Sequence, residues 1–190
     1  MKALVSIITV NYNGLRDTCE MIDSFRNHET YPHYEIIVVD NGSRLPEAEE
    51  IQERYRGNLV PGGSLSGSPA SDNPVPFPPV KVVRNINNGF AGGNNAGLKT
   101  AGGDYLFFIN NDTLIKEPVL EALVRRMECD PQRNGGVSPM LKFAACPDIL
   151  QYAGFTPLSS LTLRNASIGF MQQDGPRFRT PLALIHISEP

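Results

Sequence analysis

Two aspartates, Asp40 and Asp112, each end an apolar run and are followed or preceded by turn-forming residues. Asp112 closes Tyr105–Ile109 and Asn110-Asn111, while Asp40 closes Tyr34–Val39 and opens Asn41-Gly42-Ser43. A carboxylate fixed at a strand end can hold Mg²⁺ or Mn²⁺, whose other positions go to phosphate oxygens and water. Asn111 beside it offers either a carbonyl oxygen to the cation or an amide donor to a phosphate. A strand-end acid also serves as a turn former, which for Asp112 would mean tightening the turn with Thr113. Between the two aspartates, Asn85–Gly93 is rich in Gly and Asn. Its glycines can bring bare backbone to the mouth of a helix, where an anion sits well. They can equally serve tight turns and close helix–strand packing.

These residues need elements to position them. Val80–Thr113 reads as strand Val80–Val83, loop Asn85–Gly93, helix Asn94–Ala101 and strand Tyr105–Ile109, one βαβ unit. Upstream, Ala3–Val10 is rich in Val and Ile and nearly continuously apolar, as strands covered on both faces are. It ends at Asn11-Tyr12-Asn13-Gly14. Leu15–Arg26 is expected as an amphipathic helix. Tyr34–Val39 is the second strand, and Pro46–Tyr55 a helix with Pro near its first position and acids in its first turn. Gly57–Pro79 is almost all Gly, Ser, Pro and Asn and is expected to be a mobile surface loop within one domain. Downstream, a helix is expected over Glu117–Cys129, with Pro118 in its first turn. Strands follow at Gly136–Phe143, which Pro139 interrupts, and at Ile149–Phe155.

Strands separated by helices form a parallel sheet with right-handed crossovers, an α/β fold. Four polar exits, Thr9–Asn13, Asp40–Ser43, Arg84–Asn88 and Asn110–Asp112, then share one edge. Ligands of open α/β sheets bind beyond that edge. No GxxxxGK[ST] is present, and Gly89, Gly92, Gly93 and Gly97 do not make GxGxxG, so P-loop and dinucleotide fingerprints are excluded.

Composition narrows the class. The 190 residues suffice for one domain with a sizeable core. Seventeen Lys and Arg against twenty Asp and Glu give a formal charge of −3, which argues against a general nucleic-acid binder. Cys19, Cys129 and Cys146 form no CxxC or Cys/His cluster and read as free thiols of a reducing compartment. The apolar run at the N-terminus is too short for a membrane span and lacks a cleavage site.

Taken together, VSIITVNYNG, YEIIVVDNGS and NNGFAGGNNAGLKTAGGDYLFFINNDT resemble the family 2 glycosyltransferases. More narrowly they resemble the bacterial rhamnosyltransferase-like members that build surface polysaccharides. The resemblance covers residues 4–130, with a weaker continuation to 158. It implies a GT-A fold, a Rossmann-like, mostly parallel sheet with helices on both faces, over residues 1–158. Residues 159–190 would then begin an acceptor-side region and end in an atypical tail.

The resemblance also implies chemistry. A sugar moves, with inversion, from a nucleotide-diphosphate donor to a saccharide or lipid-linked acceptor, with Mg²⁺ or Mn²⁺ present. By motif position, Val10, Tyr12 and Asn13 contact the base, and Asp40 binds base or ribose. Asn88, Gly89, Gly93 and Asn94 lie against the donor. Asn110-Asn111-Asp112 stands for the DxD-like motif, with Asp112 as metal ligand and Asn111 at the donor. Family members carry their general base in a later acidic motif. After Pro147 this chain has only Asp148, Asp174 and Glu189, none in a matching context, and TPLALIHISEP departs from the family pattern. The expectation is a C-terminally truncated chain that binds donor and lacks the base for transfer. It is placed in the cytoplasm, or peripherally at the inner face of the membrane.

Alternatives are an inactive nucleotide-sugar-binding module, a sugar-nucleotide pyrophosphorylase and a flavodoxin-like regulatory domain. A pyrophosphorylase needs a Gly-rich, basic loop after the first strand, and NYNGLRD has one Gly. A flavodoxin-like domain gives no reason for Asn110–Asp112.

Overall fold

The computed structural model of the protein describes residues 2–56, 78–132, 134–159 and 161–178. The expected 57–79 loop, apart from Pro78 and Pro79, and the tail beyond 178 lie outside the described residues. The chain forms two compact units, Met1–Pro118 and Val119–Pro190.

In the first unit the apolar runs become parallel strands. They are β1 (Val5–Asn11), β2 (Tyr34–Asp40), β3 (Val80–Arg84) and β4 (Tyr105–Phe108), in the order β3-β2-β1-β4. β1 pairs with β2 in continuous register from Val5↔Tyr34 to Asn11↔Asp40. Their Ile and Val side chains stand on both faces, and every residue of β2 is buried. β3 and β4 are only half covered: Leu106 and Phe108 are exposed although their run is fully apolar. An apolar run of this length does not reveal how many of its faces are covered.

The helices are α1 (Leu15–His28), α2 (Glu47–Arg54) and α3 (Gly89–Leu98). α1 turns Cys19, Met21, Ile22 and Phe25 into the core, the expected stripe. Side chains alternate across β1, so Asn11 faces α1, where it meets Thr18, and Ile8 faces α3, where it meets Gly97. The chain runs β1 to β2 to β3 in one direction, then returns across the sheet to β4. Right-handed crossovers place α1 and α2 on one face and α3 on the other.

α3 corrects the expectation. The helix begins at Gly89, five residues before the expected Asn94, and takes in most of the supposed loop. Interior glycines cost a helix about 1 kcal/mol each relative to Ala, so the sequence argues against it. Contact with the sheet outweighs that cost. Gly93 and Gly97 lie one turn apart on one face. A Cβ on Gly93 would come 2.9 Å from Val10 Cγ1, and one on Gly97 would come 2.6 Å from Ile8 Cγ2. Without side chains there, α3 lies flush on Ile8, Ile37 and Val39, and Ala96 packs into the same cluster.

The second unit holds α4 (Leu120–Cys129) and an antiparallel pair, β5 (Leu141–Phe143) and β6 (Cys146–Tyr152). α4 starts three residues later than expected. Glu117 precedes Pro118, which biases it away from helical ψ, so Pro118 lies before the helix and not in its first turn. β5 is confined to three residues, because Pro139 cannot donate to a ladder. β6 starts before the expected Ile149, and Phe155 makes an isolated bridge to Ser167.

Candidate functional site

The order β3-β2-β1-β4 puts a topological switch between β1 and β4. The strand order changes direction there, and ligands of open α/β sheets bind in the crevice beyond the carboxyl ends at such a point. Its walls are Asn11–Gly14 and Asn110–Asp112.

Three of the four exits turn on a residue in the left-handed region. These are Asn13 after β1 (φ 53°), Gly42 after β2 (φ 82°) and Gly89 after β3 (φ 85°). Asn13 is held by two bonds: its N–H donates to Ser43 Oγ at 3.0 Å, and its Oδ1 accepts from Arg44 N–H at 2.9 Å. The first two exits are thereby joined, and Tyr12 projects half-exposed between them.

Beneath this surface lies a buried polar network that sequence reasoning missed. Asn11 Nδ2 donates to Asp40 Oδ1 at 3.0 Å and to Glu47 Oε2 at 2.8 Å, and contacts Ser43 Oγ at 3.2 Å. Ser43 Oγ donates to the same Asp40 oxygen. Glu47 Oε2 also accepts Gly14 N–H at 3.1 Å, at the start of α1. On the other side Thr18 Oγ1 donates to Asn11 Oδ1 at 2.8 Å and accepts from Asn111 Nδ2 at 3.1 Å. The chain of bonds runs from the β4 exit through α1 and the β1 exit to Asp40.

The sequence gives one signal of this. Asn11 continues the inward-facing set Val5, Ile7, Thr9 of β1, so it had to be buried and paired. Glu47 gives none, since an acid in a helix's first turn normally faces water. Here it is buried and serves the start of α1.

Asp40 Oδ2 makes no hydrogen bond among the described residues. A second Asn cluster fixes the start of α3. Buried Asn41 donates to Asn87 Oδ1 (3.3 Å) and Gly89 O (3.2 Å) and accepts from Asn85 Nδ2 (2.8 Å). Asn85 Nδ2 also donates to Asn88 Oδ1 at 2.9 Å. Asn88 and Gly89 are exposed, and Asn94 Nδ2 donates back to Phe90 O within the helix. Gly93 is buried against Val10, and packing alone requires glycine there.

Asp112 sits in the Asn110–Thr113 turn, closed by Thr113 N–H on Asn110 O at 3.1 Å. It is exposed, and its carboxylate has no hydrogen bond or ion pair among the described residues. Among those residues no three His, Cys, Asp or Glu side chains converge to hold a metal. One free carboxylate fits a cation that completes its shell with phosphate oxygens and water, and fits no all-protein cage. Of the acids after Pro147, Asp174 is paired with Lys142 at 2.8 Å. Glu189 lies outside the described residues.

Residues 6–139 match the family described as Glycosyl transferase family 2. The chain belongs to glycosyltransferase family 2. A Haemophilus influenzae protein described as an uncharacterized glycosyltransferase is 26% identical over 132 residues, 69% of this chain and 37% of its own length. Two solved structures share the fold of the family 2 chain. Staphylococcus aureus TarS 1–349 in complex with UDP has a TM-score of 0.51, at 20% identity over 74% of this chain and 39% of that one. The mannosyltransferase PcManGT from Pyrobaculum calidifontis, in complex with GDP-Man and Mn²⁺, has a TM-score of 0.54, at 17% identity over 75% and 36%. The architecture is thus the expected GT-A α/β fold. The family 2 chain spans less than two-fifths of the length of the relative and of both solved chains.

The opposite, amino-terminal edge of the sheet is purely structural. Glu35 is buried there, with Ser6 Oγ at 2.7 Å, Gly102 N–H at 2.9 Å and Lys81 Nζ at 2.5 Å. Burial alone would push its carboxyl up. The Lys81 ammonium, the Gly102 N–H and the Ser6 hydroxyl outweigh that and hold it below the usual carboxylate range.

Proposed function

We propose that this chain binds a nucleotide-diphosphate sugar along the strand exits of its first unit. The sugar would pass, with inversion, to a saccharide or lipid-linked acceptor. The observation that carries this reading is the free carboxylate of Asp112 at the switch point of a family 2 fold. The nearby Asp40 oxygen supports it, because it is oriented from behind and left to accept an N–H from a base. TarS 1–349 binding UDP and PcManGT binding GDP-Man and Mn²⁺ favour the same ligand class.

In this reading Asp40 takes the base edge, with Val10, Tyr12 and Asn13 beside it. Asn88, Gly89, Gly93 and Asn94 line the donor side at the start of α3. Asp112 would hold Mg²⁺ or Mn²⁺ together with the donor's phosphate oxygens. The cation, when bound, neutralises charge gathering on the leaving diphosphate. Asp112 and Asn111 orient that end of the donor from one rigid turn, which lowers the entropic cost of alignment.

The proposed donor-binding region is 1–158. The rhamnosyltransferase-like branch, and through it surface-polysaccharide synthesis, is the pathway class the motifs favour. No helix among the described residues is long and apolar enough to cross a membrane. The proposed site of action is the cytoplasm or the inner membrane face. A second reading, an inactive donor-binding module, is favoured by the acids after Pro147, Asp148, Asp174 and Glu189, none of which stands in the family's acidic motif.

The test is thermal melting with UDP, GDP and dTDP, each with and without Mn²⁺. Saturating ligand raises the melting temperature in proportion to RT ln(1 + [L]/Kd). A rise for one nucleotide supports the reading. No rise for any would leave only the fold in common with donor-binding enzymes.

A further inference from the structure

The polar network decides something the sequence leaves open: which atom Asn111 turns toward a ligand. Carboxylates only accept hydrogen bonds. Asp40 Oδ1 and Glu47 Oε2 both lie within 3.0 Å of one amide atom of Asn11, so that atom is Nδ2. The assignment is reinforced at both acids. Glu47 Oε2 already accepts Gly14 N–H, and Ser43 Oγ accepts Asn13 N–H and gives its own proton to Asp40. Asn11 Oδ1 therefore faces Thr18, whose single hydroxyl proton must go to it. Thr18 can then only accept from Asn111, so Asn111 turns Nδ2 inward. Gly14 makes room, since a Cβ there would lie 2.7 Å from that nitrogen. Asn111 Oδ1 is left without a partner among the described residues.

We propose that Thr18 and Asn11, anchored by Glu47, are positioning residues that fix Asn111 with its carbonyl oxygen toward the ligand. This rests on the donor-binding reading above and deepens it. The side chains of Asn111 and Asp112 then present acceptors only. They suit a divalent cation or an O–H donor, either a cation-bound water or a hydroxyl of the nucleotide, and do not suit a bare phosphate oxygen. Thr18 is fully buried and touches no ligand, so its effect on binding can only pass through Asn111 or Asn11.

The test is calorimetric titration of UDP and of GDP, with and without Mn²⁺, on the unmutated chain, Thr18→Val, Thr18→Ser, Asn111→Ala and the Thr18→Val/Asn111→Ala double variant. Thr18→Val keeps the shape and removes the relay. It is expected to weaken nucleotide binding about fivefold, the worth of one hydrogen bond. Thr18→Ser restores it, and the double variant binds no more weakly than Asn111→Ala alone. A penalty seen only with Mn²⁺ assigns the Asn111 oxygen to the cation or its bound water, and one seen in both series assigns it to a hydroxyl of the nucleotide. Unchanged affinity in Thr18→Val, or losses that multiply in the double variant, would overturn the proposal. Should Thr18→Val not fold, the unmutated chain still decides. The side-chain amide protons of Asn111 should exchange with solvent more slowly than those of exposed Asn110, and equal exchange would overturn the inward nitrogen. If no nucleotide binds the unmutated chain, the donor-binding reading falls and takes the ligand assignment with it. Amide exchange then judges the orientation alone.

Discussion

Asn11 Nδ2 donates to Glu47 Oε2 at 2.8 Å, joining the end of β1 to the first turn of α2 with both side chains buried. The same Glu47 oxygen takes the first free N–H of α1. One carboxylate thus satisfies a buried donor and a half-buried one from two elements. Removing it strands one of the two Asn11 amide protons, the other staying on Asp40, and a stranded buried donor costs its full desolvation. Glu47→Ala is expected to destabilise the chain by about 1–3 kcal/mol, chiefly the cost of that one buried donor. Chemical denaturation reads it directly. A loss within about 0.5 kcal/mol, typical of a surface position, would contradict the burial.

Gly97 makes an opposite prediction to helix propensity. In an exposed helix Gly→Ala gains about 1 kcal/mol. In α3 the added methyl would meet Ile8 Cγ2 at 2.6 Å and Val39 Cγ2 at 3.0 Å. Overpacking of this kind costs roughly 1–3 kcal/mol. Gly97→Ala should therefore lower the denaturation midpoint. A stabilised variant would mean that α3 is not flush on the sheet.

Glu35 sets a pH dependence. Its carboxyl is held below the ordinary range when folded, after burial is outweighed by Lys81, Gly102 and Ser6. A depressed folded value contributes stability that is fully present above the unfolded value, about 4.3. That stability is lost as pH falls through the folded value. Glu35→Gln should be less stable than the unmutated chain at pH 6, with the gap closing on acidification below about pH 4. Urea midpoints from pH 6 to pH 3 measure it. A gap that stays constant would show that the carboxylate's charge contributes nothing.

Much of the first unit was legible in the sequence because its signals are local. β1 and β2 are Val- and Ile-rich runs that stop at Asn and Asp clusters, and α1 carries its core stripe at helical spacing. The exits carrying Asp40 and Asp112 followed from the alternation of strand and helix alone. What stayed hidden depends on tertiary contact. The first half of α3 reads as a loop because glycine is a poor helix former, and only the nearness of Val10 and Ile8 explains why Gly93 and Gly97 are there. Glu47 reads as a solvated acid because its partners, Asn11 and Gly14, are more than thirty residues away. The exposed face of β4 stays hidden because apolarity alone cannot tell one covered face from two.

The central claim is that Asp112 serves a ligand and not the fold. It is exposed and unpaired among the described residues, so Asp112→Ala should shift stability by no more than about 0.5 kcal/mol. The most direct measurement is calorimetric titration of UDP, GDP and dTDP with and without Mn²⁺ on the unmutated chain and on Asp112→Ala. The account predicts Mn²⁺-dependent binding of one nucleotide, weakened at least about tenfold in the variant, or about 1.4 kcal/mol. Equal Mn²⁺-dependent affinity in the two chains would contradict it.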